Sequence, residues 1–270
     1  LEAFQRLGFP SKQVERYKYT DVAQIFAPDY GLNLGRIDIP VNPYEVFRCD
    51  VPNLSTSLYF VLNDLFYDKA LPKATLPEGV IISSLGKACE EFPEVVKRCY
   101  GQLARSGKDA INALNTMLAQ DGLLVYVPRN VKVDRAIQVI NILRSDVDLM
   151  INRRVLIVLE EGAEAKLLFC DHAADDRRFL TTQVLEAYVG GNAALDLYCL
   201  EETHARNVRV SNVYIDQQAD SRVNHNVITL HNGVTRNRTD LVFSGEGAEC
   251  YLNGCVIADK TQHVDNNTLI

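Results

Sequence analysis

The chain contains no tryptophan and only two methionines among its 270 residues. No stretch approaches the roughly 18 consecutive apolar residues of a membrane-spanning helix. The start of the chain also lacks the charged segment and apolar run of a secretory signal. The sequence begins at Leu1 rather than at methionine, so we expect the native start to lie upstream. These absences predict a cytoplasmic protein without a membrane partner.

Familiar enzyme motifs are absent as well. Neither glycine-lysine pair, at Gly86 and at Gly107, has a glycine five positions earlier, so there is no phosphate-binding loop of the Walker type. No His-Glu-x-x-His, Cys-x-x-Cys or Gly-x-Ser-x-Gly pattern occurs either. The sequence therefore offers no motif-based argument for catalysis, and we expect a non-catalytic protein.

The composition is that of a folded, soluble chain of one or two domains. Hydrophobic residues make up 47% and charged residues 23%, and the net charge is −7. An acidic surface argues against nucleic acid as a partner, because such proteins need basic patches. The seven cysteines are odd in number and irregularly spaced, which fits a reducing compartment better than a disulfide scaffold; they are Cys49, Cys89, Cys99, Cys170, Cys199, Cys250 and Cys255.

One short phrase recurs in the second half of the chain. A polar or glycine turn leads to an alanine and then to an alternating apolar run, anchored at Ala163, Ala193, Ala219 and Ala248 with separations of 30, 26 and 29 residues. Recurrence at this length indicates a solenoid. The runs alternate with a period of two and are rich in Val, Leu, Tyr and Thr, so the repeated unit is β. We therefore predict a parallel β-helix, a fold that often serves as an assembly platform because its ends present unpaired edges.

The first half of the chain has a different sequence pattern, with helical as well as strand signals. We therefore place a domain boundary near Gln120, with a mixed helical region over 1–120 and a β-helix core over 121–270. A helix is predicted at the start of the chain, broken at 8–10 and restarting behind Ser11 as N-cap. Short strands are predicted at 58–62 and 79–83, flanked by Pro72 and Pro77. Apolar residues spaced by three and four between 85 and 120 predict a helix pair broken near 106–107.

The nearest approach to a metal constellation is Cys250 and Cys255 with His263, while His225 and His231 lie one coil earlier. Thiolates and imidazoles are suitable ligands for zinc or an iron–sulfur cluster. An odd separation of five residues points the two thiols to opposite faces of an unbroken strand, unless a tight turn at 253–254 reunites them. The alternative, which we favour, is that both cysteines are small core residues.

Other polar residues allow further interpretations. His172 and His204 lie beside acidic residues in predicted loops, where solvated charges are more common than acid-base pairs. The run 224–226, Asn-His-Asn, is interpreted as a polar ladder or surface face. A β-helix can also be a polysaccharide lyase or hydrolase, for which one can line up Asp196, Glu201, Glu202 and Arg222. The absence of tryptophan and of clustered aromatic residues to stack sugars argues against that alternative.

Several segments in order resemble one family. Residues 16–21, Arg-Tyr-Lys-Tyr-Thr-Asp, resemble the Trp-Lys-Tyr-Thr signature near the start of SufD proteins, and 121–128 with 136–139 resemble the entry to the SufB/SufD core. Residues 158–163, 245–249, 252–254 and 262–268 resemble its successive coils. The chain is thus similar to the SufB/SufD family over nearly its whole length, and to the SufD branch more than to SufB, whose further cysteine-bearing segments it lacks.

This resemblance implies a scaffold subunit of the SUF iron–sulfur cluster assembly machine. The family's fold is a right-handed parallel β-helix between helical regions. The implied partners are a SufB-like paralogue and a SufC-like ATPase, with any iron–sulfur cluster held only in the assembled complex. An adaptor with a β-solenoid fold and no link to iron is the remaining alternative.

Two positions depart from the family pattern: Tyr17 replaces the usual tryptophan, and Asn267 replaces a histidine, so no function is transferred to Asn267. The resemblance also implies further coils and a C-terminal helical domain that docks the ATPase, neither of which is found before Ile270. We therefore expect this chain to be part of a longer protein. We also expect it to form a homodimer on its own, because a solenoid that stops at a coil leaves an edge open.

Overall fold

The structure is a computed structural model, and it describes residues 1–35, 42–47, 56–69 and 76–270. Cys49 and Pro72, noted above, lie outside the described residues. Within the described part, no helix combines the length and the apolar character needed to cross a bilayer.

Short helices and strands precede the solenoid. In chain order they are α1 (Glu2–Leu7), a 3-10 turn (Glu15–Tyr17), α2 (Val22–Ile25), β1 (Gly31–Leu32), α3 (Pro43–Val46), β2 (Thr56–Leu62), β3 (Leu65–Phe66), β4 (Ile81–Ser84), α4 (Leu85–Glu91), α5 (Pro93–Cys99) and α6 (Ala110–Leu118).

Eleven strands follow without a further helix. They are β5 (Leu123–Val127), β6 (Ala136–Leu143), β7 (Leu149–Leu159), β8 (Glu164–Ala173), β9 (Phe179–Val189), β10 (Ala194–Glu202), β11 (Val208–Gln217), β12 (Arg222–His231), β13 (Val234–Phe243), β14 (Glu249–Val256) and β15 (His263–Leu269).

Successive strands alternate between two sheets. The order is β15-β13-β11-β9-β7-β5-β4 in one, which we call sheet A, and β14-β12-β10-β8-β6-β2-β3 in the other, sheet B. The coil-to-coil pairings are parallel, from β2 with β6 and β5 with β7 to β12 with β14 and β13 with β15. The fold is therefore a parallel β-solenoid of about five turns, which confirms the predicted class.

The repeated turn owes its shape to one residue in the left-handed conformation. Gly162, Asn192, Asp220 and Gly247 have φ between 55° and 72°, a region that glycine, asparagine and aspartate tolerate best. The backbone N–H groups of Gly162, Asn192 and Asp220 bond to the next coil, as from Asn192 to the Ala219 carbonyl at 2.9 Å, so the turns stack.

These turns correct one anchor of the predicted repeat. The residue after the left-handed position is Ala163, Ala193, Ser221 and Ala248, so Ser221 and not Ala219 is the structural equivalent. Ser221 is as buried as Ala163 and Ala193. A search for a repeated alanine misses this equivalence, because the third turn has serine at the position.

The main apolar core fills one half of the solenoid interior. It includes Val155, Ile157 and Leu159 of β7 and the matching alternate residues of the neighbouring strands. Alternation places every second side chain inside, as expected for strands that bury one face. The other half of the interior is polar and is described below.

The N-terminal region covers the outer face of sheet A, and here the sequence-based prediction needs correction. Ser11 does not cap a helix, because its hydroxyl accepts only a turn hydrogen bond from Gln13, whereas Asp21 caps α2. The predicted helix pair is three helices, since Pro93 begins α5 directly after α4. The predicted break near 106–107 lies in the loop before α6, whose N-cap is Asp109.

Candidate functional site at the C-terminal coils

The last coil holds the three predicted metal candidates, and the structure keeps them apart. Cys250 and Cys255 lie in β14, which runs unbroken past Asn253-Gly254 in register with β12. The suggested turn at 253–254 is therefore wrong, because paired backbone groups hold this dipeptide in the strand. Cys250 packs on the apolar core, and burial raises the pKa of its thiol to about 11, so it stays protonated at neutral pH. Cys255 is exposed.

His263 lies in the other sheet, at the start of β15. Its Nε2 is 3.4 Å from the hydroxyl of Thr20 in the N-terminal segment. In the ranges that the structure describes, no three His, Cys, Asp or Glu side chains form a group able to hold a metal ion. His231 is exposed at the end of β12, so the histidines of this region do not converge on the two cysteines.

A charged network occupies the polar half of the interior. The buried carboxylate of Asp171 accepts a bond from Nη1 of Arg153 at 2.6 Å and lies 3.2 Å from Nη1 of Arg209. The Asn141 side chain donates to the same carboxylate at 2.7 Å. Burial alone would raise the pKa of Asp171, but the two guanidinium groups outweigh it and hold the pKa below its usual value.

Glu201 extends this network toward the later coils. Its carboxylate accepts a hydrogen bond from the Thr235 hydroxyl at 2.7 Å and lies 4.0 Å from Arg209. Burial raises the pKa of Glu201 to about 7, against the opposing attraction of Arg209. The carboxyl can therefore gain or lose a proton near neutral pH, because it is buried in the interior of the solenoid.

His225 completes the polar interior next to the last coil. It is 2% exposed, and neither ring nitrogen has a hydrogen-bond partner. Burial, with repulsion from Arg209, lowers the pKa of His225 to about 4. The imidazole borders a cavity of about 140 Å³ that is also lined by Asn237, Leu252 and Asn266. His225 is therefore neutral at physiological pH and faces a polar cavity at the end of the solenoid.

The arginines of this interior were not found from the sequence. Arg153 has the same alternation phase as Val155, Ile157 and Leu159, and this phase was the available signal. A charged residue in the apolar phase of a strand predicts a buried partner, which here is Asp171.

The N-terminal signature packs on the outer face of sheet A beside the last coils. The Tyr17 ring lies against the buried guanidinium of Arg236, 4.1 Å from its carbon to the ring centroid, and the Tyr17 hydroxyl donates to Asp109 at 2.7 Å. Thr20 donates to Asp265 of β15 at 2.6 Å. An aromatic residue at position 17 therefore has a structural role, because it covers an arginine that would otherwise be exposed.

The remaining candidates separate by face. Asn224, Asn226 and Asn253 form the expected polar ladder outside sheet B, with Asn253 donating to both others at 3.1 and 3.0 Å. His225, between the first two, points inward. Of the residues considered for sugar cleavage, Glu201 is inside the solenoid, whereas Glu202 and Arg222 are exposed, so they do not form one ladder.

The two other histidines are held by local packing. His172 lies in β8 rather than in a loop, against the ring of Phe47 with centroids 5.2 Å apart, and burial lowers its pKa. His204 does lie in a loop, where its Nδ1 accepts a bond from the backbone N–H of Arg206 at 3.1 Å.

Two family models match the chain in succession. The first, described as SufBD protein N-terminal region, matches residues 1–139. The second, described as SUF system FeS cluster assembly, SufBD core domain, matches residues 142–270.

Curated relatives include proteins from a plant and an archaeon. The chain is 29% identical over 131 residues to the iron-sulfur cluster assembly SufBD family protein ABCI8, chloroplastic, of Arabidopsis thaliana, covering 47% of this chain and 23% of that protein. It is 22% identical over 193 residues to the SufBD family protein PH1385 of Pyrococcus horikoshii, covering 70% and 42%. It is 22% identical over 223 residues to protein ABCI7, chloroplastic, of Arabidopsis thaliana, covering 79% and 45%. These alignments span less than half the length of each relative.

Proposed function

Because this chain belongs to the SufBD family of the SUF system for iron–sulfur cluster assembly, we propose that it is a SufD-like, non-catalytic scaffold subunit. Its proposed partners are a SufB-like paralogue and a SufC-like ATPase. In this proposal the cluster is cargo of the assembled complex, and the nucleotide chemistry belongs to the ATPase. The resemblance of residues 16–21 to the SufD signature, and the absence of the further cysteine-bearing segments of SufB, support the SufD branch.

The observation that carries the proposal is the succession of the two family matches along one parallel β-solenoid. The SufBD N-terminal model matches residues 1–139, and the core model matches residues 142–270. The solenoid of about five turns is built from strands in both ranges. A parallel solenoid presents long faces and sheet edges to which other proteins can bind, as a scaffold requires.

The polar interior supports a rigid scaffold. The paired charges of Arg153, Asp171 and Arg209 lie inside the coils, and the cavity beside His225 opens between β12, β13 and the last coil. Buried charges with specific partners favour one packing over alternatives. A partner that binds the solenoid would therefore meet a surface of defined shape.

The test is co-expression of the full-length parent protein with its SufB-like and SufC-like candidates, followed by anaerobic co-purification and iron and sulfide analysis. We expect a stable complex that carries iron and sulfide only when the paralogue is present. Purification of the parent without either partner and without metal would contradict the proposal.

A matched pair of variants tests self-association of the 270-residue chain, in which β14 and β15 are outermost. Val256→Lys with Leu269→Lys places two charges on exposed apolar positions of these strands. We expect this double variant to lose the proposed homodimer. Val147→Lys is the control, because Val147 is 58% exposed and lies in the loop before β7, away from the last coil. Equal self-association of all three proteins would exclude β14 and β15 as the homodimer interface.

A further inference from the structure

A groove between the N-terminal region and sheet A carries an excess of positive charge. We call it the basic groove; its volume is about 250 Å³. Arg16, Arg105 and Lys108 line it from the N-terminal region, and Tyr214, Ile215 and Arg238 line it from sheet A. Such a concentration of cations is unexpected on a protein whose net charge is −7.

The two aspartates of the basic groove pair with one buried arginine. Arg238, which is 3% exposed, bonds to Asp109 through Nη1 at 2.9 Å and to Asp240 through Nε at 2.8 Å. By contrast, Arg16, Arg105 and Lys108 are exposed, and none of them forms an ion pair with any residue in the described ranges. With four cations and two carboxylates among its lining residues, the groove keeps an excess of two positive charges.

The backbone that presents these cations is fixed. The Arg16 carbonyl accepts a hydrogen bond from Nη2 of the buried Arg236 at 2.6 Å. The Nε of Arg105 donates to the Gln102 carbonyl at 3.1 Å, and the two terminal nitrogens of the guanidinium take no part in that hydrogen bond. The backbone N–H of Lys108 bonds to the Arg105 carbonyl at 3.1 Å. Binding an anion would therefore cost little ordering of the backbone.

From this arrangement we propose that the basic groove binds a phosphate-bearing small molecule through Arg16, Arg105 and Lys108. Two guanidinium groups offer paired N–H donors that match the oxygens of phosphate, and lysine adds a point charge. Three cations match the multiple charge of a phosphate better than the single charge of a carboxylate. The volume suits a diphosphate group more closely than a whole nucleotide, since pockets for drug-sized ligands have about 300 Å³ or more.

The test is isothermal titration of the chain with inorganic pyrophosphate at low salt. We expect saturable binding that weakens as salt is added. Arg105→Ala with Lys108→Ala should weaken binding at least tenfold. The control is Arg135→Ala with Arg177→Ala, which removes two exposed cations that also lack an ion pair in the described ranges but lie outside the groove. This control should bind as the unmodified chain does.

A second arm uses ADP in place of pyrophosphate and distinguishes the two sources of a diphosphate. Tighter binding of ADP, lost in the groove variant alone, would support a nucleotide whose remainder contacts residues such as Tyr214 at the floor. Equal or weaker binding of ADP would support a free diphosphate. The proposal is overturned if neither compound binds, or if the groove variant and the control variant bind equally well.

Discussion

Individual buried residues in this solenoid balance one another's charge. Arg153 and Arg209 share the carboxylate of Asp171, and Arg209 also approaches Glu201. Removing one member of such a set leaves a buried charge without a partner. The resulting loss of folding stability is much larger than the net stabilisation that the intact set provides. His225 remains neutral beside them because burial, with repulsion from Arg209, lowers its pKa.

The first prediction at this scale concerns His225→Leu. The ordinary pKa of histidine is 6.5 and that of folded His225 is about 4, so between these values the unfolded chain binds a proton that the folded chain does not. The free energy of unfolding therefore falls as pH drops through this window, by up to about 3 kcal/mol. Leucine fits the ladder, since its neighbours across β10 and β14 are Leu197 and Leu252. In urea denaturation at pH 4.5, 5.5 and 7, the free energy of unfolding of the variant should rise less, or fall more, with increasing pH than that of the parent, because Glu201 contributes the opposite slope.

Glu201→Gln is the control with the opposite sign. The folded pKa of Glu201, about 7, lies above the ordinary 4.5, so its contribution is present below pH 4.5 and is lost as pH rises through 7. Glutamine removes this loss, and the stability of the variant should decline less than that of the parent between pH 4.5 and 7. A His225→Leu variant with the same pH profile as the parent would show that the imidazole is not buried as described.

Among the elements, the turns between coils depend on the left-handed residue. Gly162, Asn192, Asp220 and Gly247 occupy equivalent positions, and each bonds to or contacts its neighbour in the next coil. The added Cβ of an alanine at Gly162 would lie 2.4 Å from the Asn130 side chain, so the stack is also close-packed. The chain uses glycine or a short polar residue here because other L-residues are strained at positive φ.

Asn192→Val tests this turn. Valine is β-branched and adopts φ near 56° at a cost of about 1–2 kcal/mol. The free energy of unfolding of the variant should fall by that amount, and its denaturation midpoint should lie at a lower denaturant concentration. Asn192→Gly is the matched control, because glycine tolerates the same φ and keeps the backbone bond to Ala219. If both variants unfold at the same midpoint, the turn does not require the left-handed conformation.

For the molecule as a whole, we expect the edge of β14 and β15 to determine the oligomeric state of this chain in solution. We expect the 270-residue chain to form a dimer, because a two-fold pairing would cover the open backbone groups and the exposed apolar side chains together. Size-exclusion chromatography with light scattering should give twice the 30.3 kDa chain mass. The Val256→Lys, Leu269→Lys double variant should run as a monomer, while Val147→Lys should remain dimeric. A monomeric parent at high concentration would refute this prediction.

The sequence by itself determined the solenoid, because local patterns specify a β-repeat of about 30 residues. These patterns are turn residues that tolerate the left-handed conformation, small residues directly after them, and apolar residues that alternate with a period of two. It also predicted the polar ladder of Asn224 and Asn226, but the interpretation of the whole run 224–226 as one surface face was wrong for His225, which points inward. It misplaced one repeat anchor at Ala219, since Ser221 serves the same steric role.

Only the tertiary structure decided which residues meet. Cys250, Cys255 and His263 are close in sequence, yet strand continuity and the two-sheet alternation separate them. Arg153 and Asp171, 18 residues apart, come together because the path from one sheet to the other returns both side chains to the interior. Tyr17 meets Arg236 across 219 positions, since the N-terminal segment folds over sheet A. Such contacts depend on how coils stack and on what covers them, which a local pattern does not encode.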